Sequence, residues 1–254
     1  MVNVSKIHTM IFVLTIITIS ANAQTGMPSV KGGSNFNTYG QARCFSPPPS
    51  YEQWNPVVNF DIDSMAVSST LQVMRSTLDP TNGNAPSVQE SIRINVFHIR
   101  GGERCQGSLG TRGINLDSDG GGLSPTCFWN LRELVSEAAS KGYKQILVGL
   151  HPQGRNNPYT WPLNWQTSQF YMSYFSENWN FINEVRCAVR EGLGLQCGGT
   201  SLHPTIAYRI DLFNEGSFYQ HQQWPGVLLY TQYVWGNYFS SWGKADTVGF
   251  SIAA

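Results

Sequence analysis

The sequence predicts an α/β fold, in which parallel strands alternate with helices. Three observations carry that expectation. Amphipathic stretches with helical spacing recur past residue 30, a turn and a short apolar run follow each of them, and the run 146–150, Ile-Leu-Val-Gly-Leu, is continuously apolar, as in strands covered on both faces.

In chain order, residues 34–39 form the candidate first strand and residues 92–97 the second. Ser124-Pro125 opens a helix with a capping hydroxyl and a proline in the first turn. Phe128, Leu131, Leu134, Val135, Ala138 and Ala139 continue it on one face until Lys141-Gly142 stops it. The third strand, 146–150, follows at once. Phe175, Trp179, Ile182, Val185 and Val189 mark the next helix, a glycine-rich break spans 192–199, and residues 206–213 make the fourth strand. A weaker copy of the unit runs through 228–242 into a fifth strand at 247–252. Trp179 and Trp235 sit on helical stripes and are expected in the core. Two architectures accommodate such units: an open doubly wound sheet and a (β/α)8 barrel. No G-x-G-x-x-G follows any strand, which removes the best sign of the dinucleotide-binding version.

Composition narrows the function. Sixteen Lys plus Arg balance sixteen Asp plus Glu, so the chain has no electrostatic attraction for nucleic acid or an anionic membrane. Charged residues make up only 13% of the chain, against about 25% in an average soluble domain, while aromatic residues also reach 13%. Lys6, the apolar run 10–19 and Ala21-Asn22-Ala23 read as a signal peptide over residues 1–23, leaving 24–254 as one domain that is secreted or periplasmic, free of the membrane and monomeric. Five cysteines in an exported chain suggest disulfides. Cys187 with Cys197 and Cys105 with Cys127 are the plausible local pairs; Cys44 is left over, either as a buried thiol or with a partner outside this chain.

The chemistry gathers after the carboxyl ends of the strands. The fourth strand ends in Asn214-Glu215-Gly216, where a carboxyl group could protonate a leaving group while the amide holds a substrate hydroxyl. Strict alternation would aim the two side chains to opposite faces, so both serve one pocket only if the chain bends there. The third strand runs into His151, and the second carries Arg93, which could serve the site or simply anchor a buried carboxylate such as Asp211. Tyr159, Trp161, Trp165, Tyr171 and Tyr174 crowd the segment beyond His151. Flat rings stack on the C–H faces of sugars, and Trp161 and Trp165, in a polar loop where core packing is less expected, are the candidates for a glycan subsite wall. Asn115, Asp117, Asp119 and Gly120 imitate half of a calcium loop, but Thr126 stands where its bidentate Glu belongs. No nucleophile elbow, zincin or P-loop motif appears, and no cofactor or metal is expected.

A strand-2 Arg (Arg93), a strand-3 His (His151) and a strand-4 Asn-Glu (Asn214, Glu215) together resemble the cellulase-type family 5 of glycoside hydrolases and its clan of retaining (β/α)8-barrel glycosidases. The opening Lys31-Gly32-Gly33-Ser34-Asn35 is similar to that family's Lys-Gly-x-Asn at strand 1. Where the family places Pro after Asn-Glu this chain has Gly216, which ties it to the clan more than to the family.

The resemblance implies a TIM-type barrel and a secreted endo-glucanase-like or mannanase-like hydrolase of a neutral β-linked polysaccharide. Glu215 would be the general acid/base, with Asn214, His151 and Arg93 at the substrate. It also implies a nucleophilic Glu at the end of strand 7. Five βα units over residues 31–254 take about 45 residues each, so eight would need roughly 360. The sequence is therefore read as the amino-terminal part of a longer enzyme, inactive by itself for want of the nucleophile. The alternatives are a secreted glycan-binding protein without catalysis, or an enzyme whose second carboxylate is Glu103 or Asp246.

Overall fold

A computed structural model describes residues 33–36, 39–42, 51–76, 89–102, 115–158, 161, 169–217 and 225–253. The expected signal peptide, Lys31, Cys44, Glu103, Cys105, Tyr159 and Trp165 lie outside them. No helix among the described residues is long and apolar enough to cross a membrane.

The fold is α/β. Strands β1 (Gly33–Phe36), β2 (Tyr39–Ala42) and β3 (Tyr51–Trp54) precede helix α1 (Pro56–Arg75). Then come β4 (Ser91–Ile99), the short β5 (Leu116–Asp117), α2 (Pro125–Ser140), β6 (Gln145–Pro152), α3 (Gln169–Gly192), β7 (Ala207–Ser217), α4 (Pro225–Trp242) and β8 (Thr247–Ala253). All five expected strands and the three expected helices are present.

Helix α1 went unread, although Asn55-Pro56 uses the same signal as Ser124-Pro125. The Asn55 side chain accepts from the Val57 amide at 2.8 Å, as the Ser124 hydroxyl accepts from that of Cys127 at 3.1 Å. A non-helical residue at Asp63 interrupts α1 and obscures its period. The β2–β3 hairpin and β5 were also unread.

Strand order decides how the sheet is wound. The main sheet runs β1-β4-β6-β7-β8, with β5 added at the end of β4, and every pairing in it is parallel. Each main strand thus lies beside its neighbour in sequence, and no reversal occurs of the kind a doubly wound sheet requires. Right-handed crossovers then put successive helices on one side of the sheet. The packing agrees, since α1 lies on α2, α2 on α3 and α3 on α4.

The two faces of the sheet differ in chemistry. Toward the helices point Ile92, Ile94 and Val96 of β4, Ile146, Val148 and Leu150 of β6, and Tyr208, Ile210 and Leu212 of β7, each 0–1% exposed. They meet Leu131, Leu134 and Val135 of α2 and Ile182, Val185 and Val189 of α3 in a single core. Each such aliphatic side chain contributes about 1.5–3 kcal/mol by leaving water. Arg93, Asn95, Gly149, His151, Arg209 and Asp211 occupy the alternate positions and so share the opposite face. Strand 146–150 is covered on both faces as expected, by apolar side chains toward the helices and by polar ones at the level of Gly149 and His151. Trp179 packs against the core as expected, but Trp235 is 37% exposed; it lies at the surface against Phe239 of its own helix and Phe250 of β8.

A second polar cluster ties the amino end of β8 to α3. Asp246, 2% exposed, accepts from Arg186 Nε at 2.9 Å and Nη2 at 2.8 Å, from the Tyr208 hydroxyl at 3.0 Å and from the Tyr238 hydroxyl at 2.9 Å. Arg186 also donates to the carbonyls of Cys197 and Gly199, and Arg190 to those of Gln196 and Ser201. The glycine-rich break is in this way wrapped around two buried guanidinium groups. The expected disulfide Cys187–Cys197 closes it. Cys127 is disulfide-bonded as well; Cys44 and Cys105, the remaining cysteines, are both outside the described residues.

Removing the Asp246 carboxylate strands two buried cations. Asp246→Ala is predicted to lower unfolding free energy by about 3–5 kcal/mol, the range for breaking a buried ion pair. Urea denaturation checks this, and a loss below about 1 kcal/mol would mean that the cluster does not hold β8 to α3.

Candidate functional site

The polar face of the sheet is organised around a gap. Asn95, Gly149 and Asp211 stand at one level of register across β4, β6 and β7. Because Gly149 has no side chain, the Arg93 guanidinium on β4 passes over β6 and meets Asp211 on β7, Nη2 to Oδ2 at 2.6 Å. A Cβ at position 149 would lie 2.8 Å from both Arg93 Nη2 and Asn95 Oδ1. Asp211 is fully buried, whereas the Arg93 side chain keeps 20% exposure. Of the two roles left open for Arg93, anchoring a buried carboxylate is thus realised. Arg209, two residues before Asp211, donates to the Tyr208 carbonyl.

One oxygen links this pair to the histidine. Asn95 Oδ1 lies 3.1 Å from Arg93 Nε and 3.0 Å from His151 Nε2. The His151 ring stands 4.7 Å from that of Phe97, and burial together with the Arg93 cation lowers its pKa to about 4. On the helix side of β4, His98 packs flat on Phe181. Its Nδ1 faces the Ser118 hydroxyl at 3.2 Å and the Asn156 amide nitrogen at 3.3 Å. Burial, with the nearby His151 adding to it, lowers the His98 pKa to about 3. Both imidazoles are therefore neutral at physiological pH.

The strand that carries Asn214 and Glu215 is irregular at that point. Phe213 is in register with Phe250 of β8, and Gly216 with Ile252. The chain thus advances three residues on β7 for two on β8. The register between β7 and β8 also shifts between Ile210 and Asp211 and between Asp211 and Phe213, so the pairing is irregular along much of the strand; irregularities of the bulge kind frequently adjoin active sites. The side chains of Asn214 and Glu215 are outside the described residues.

The aromatic wall needs correction at Trp161. The residue is 2% exposed, its indole N–H donates to the Arg155 carbonyl at 2.8 Å, and the rings of Tyr171, Tyr174, Phe175 and Tyr230 surround it at 5.0–6.4 Å. A ring so enclosed cannot stack on a sugar without leaving its place. The cluster reaches Phe213 through Tyr230 at 5.9 Å, so it braces the strand just before Asn214. The polar sequence around Trp161 concealed this role, because the partner rings come from α3 and α4.

Asp246 does not face this site. It precedes β8, and its carbonyl accepts from Ile210, at the amino end of that strand, with its carboxylate committed to Arg186 and two tyrosines. Asp117, in the stretch that imitates a calcium loop, accepts from the amides of Gly101 and Asp119 at 2.9 Å as a turn residue. Asn95 and Gly149 were missed as site residues. Their signal is small: a polar residue and a glycine inside otherwise apolar strands. The chain matches no family model, no curated protein and no solved structure.

The neutral histidines set a pH dependence. Their folded pKa values lie below the ordinary value of about 6.5, so the unfolded chain takes up protons first as pH falls. Stability from this source is complete above pH 6.5 and is lost as pH falls toward the folded values. Between pH 7.5 and 5 the loss should be about 2 kcal/mol per histidine. Denaturant titrations at those two pH values measure it; equal stabilities would contradict neutral burial.

Proposed function

We propose that the sheet is an arc of a (β/α)8 barrel and that the chain is a secreted glycoside hydrolase of the retaining barrel clan, acting on a neutral β-linked polysaccharide. Glu215 is its general acid/base, Asn214 holds a substrate hydroxyl, and Arg93 and His151 shape the floor beneath them. The observation that carries this reading is the register shift of β7 against β8 between Phe213 and Gly216, the stretch of strand that holds Asn214 and Glu215. The unreversed strand order and a polar face turned away from the helices also support it, because a barrel turns that face inward toward the carboxyl ends of its strands. The low charge and high aromatic content suit a neutral sugar chain.

A retaining glycosidase needs a second carboxylate about 5–5.5 Å from the first. Asp211 is fully buried against Arg93, and Asp246 is committed to Arg186, Tyr208 and Tyr238 on the helix side of the sheet, so neither serves. That observation favours a second reading, a site that binds glycan without cutting it.

Both readings are tested together. Calorimetric titration with cello- and manno-oligosaccharides should detect binding, and Asn214→Ala should weaken it roughly tenfold. Reducing-end release from soluble β-glucans and β-mannans then separates the two, with Glu215→Ala expected to lower turnover about 10²–10⁴-fold. Binding without release favours the binding protein, unchanged release in Glu215→Ala refutes the acid/base assignment, and absence of both binding and release refutes both readings.

A further inference from the structure

Arg93 and His151 come from different strands, yet they meet the same atom. Arg93 Nε–H can only donate, so the Asn95 atom that it contacts at 3.1 Å is the amide oxygen. An oxygen there can only accept, so the His151 Nε2 at 3.0 Å must supply a proton. The Asn95 side chain consequently dictates which nitrogen of the imidazole is protonated, and Nδ1 becomes the acceptor nitrogen. The same contact holds the guanidinium at its Nε edge while Nη2 reaches Asp211 across Gly149. Asn95 is itself 3% exposed, and its carbonyl accepts from the Asn55 side chain at 3.2 Å, which ties its backbone to the cap of α1.

We propose that Asn95 is a positioning residue: one amide oxygen sets the His151 tautomer and the Arg93 orientation together, and so fixes the polar face of the sheet that those two side chains share with Asp211. Its purpose rests on the glycoside reading, whereas its geometry does not. Among the described residues, Asn95, Arg93 and Phe97 of β4 face His151, with Asp211 of β7 behind Arg93 and His98 on the far side of β4. A purely structural asparagine would hold β4 against α1 through its backbone and have no influence on the imidazole.

The test reads the imidazole directly. In protein carrying ¹⁵N-histidine, with His151 assigned by the His151→Gln spectrum, the wild-type ring should be neutral and protonated on Nε2 from pH 8 to about 5. Asn95→Asp puts a carboxylate on the same two donors and should raise the His151 pKa by about one unit or more. Gly149→Ala leaves Asn95 in place but crowds its oxygen, and should loosen the tautomer preference in the same spectrum; it serves where Asn95 variants fail to fold. A wild-type ring protonated on Nδ1 overturns the proposal, as does a His151 titration unchanged in both variants. Oligosaccharide titration keeps the two readings apart. Binding by wild type that weakens roughly tenfold in Asn95→Asp supports the positioning role at a glycan site. Expected spectra without any oligosaccharide binding refute the glycoside reading and leave the Asn95 assignment standing.

Discussion

The reach of Arg93 over Gly149 to Asp211 is the contact on which the polar side of this sheet depends. A buried aspartate costs several kcal/mol unless a cation and further donors compensate for lost water, and Asp211 is fully buried in the middle of β7. The compensating cation comes from two strands away. It can arrive only because the intervening strand offers no side chain at that level. The arrangement therefore constrains three strands at once: a cation on β4, two residues before the level at which a glycine on β6 and an acid on β7 stand in register. His151 joins it through Asn95, so the protonation of an imidazole at the strand end is tied to an ion pair deeper in the sheet.

The Asp246 cluster does a comparable task on the helix side of the sheet. There the cations come from a helix and the acid from the start of a strand, and carbonyls of the glycine-rich break fill the remaining donor positions of Arg186 and Arg190. Buried ionic clusters of this kind are weak sources of net stability but strict about partners, since deleting one member leaves the others charged and dry. The two clusters thus fix geometry on both sides of the sheet, while the apolar core supplies most of the favourable free energy.

Much of this was legible in the sequence because the relevant signals are local. The period of α2 and α3, the apolar runs of β4, β6 and β7, and the Ser124-Pro125 opening depend on residues close together in the chain. The same holds for the Cys187–Cys197 pairing. What was misread depends on partners from distant segments. Trp161 looked like a loop residue because its segment is polar; the rings of Tyr171 and Tyr174 stood nearby in the sequence, but nothing announces that α3 folds back and, with Tyr230 of α4, encloses it. Trp235 looked like a core residue from its helical stripe, yet β8 covers only part of it and it keeps 37% exposure. Helix α1 was hidden by an interruption at Asp63. Asn95 and Gly149 are ordinary until register places them on either side of one guanidinium. The irregularity of β7 could be named as a requirement but not located, because it is a property of two strands aligned.

The unreversed strand order also bears on how the chain assembles. Each βα unit needs only the edge left by the unit before it, so loop closures stay short and no strand waits for a later one to be inserted between earlier pairs. A polypeptide emerging amino end first can therefore lengthen its sheet in step with synthesis. The exception is the Arg93–Asp211 pair, which joins residues 118 positions apart and is completed only when the third of its strands docks. Until then β4 exposes an uncompensated guanidinium, and the arrival of Asp211 distinguishes a correctly aligned third strand from one slipped by a residue, which would turn the acid to the helix side.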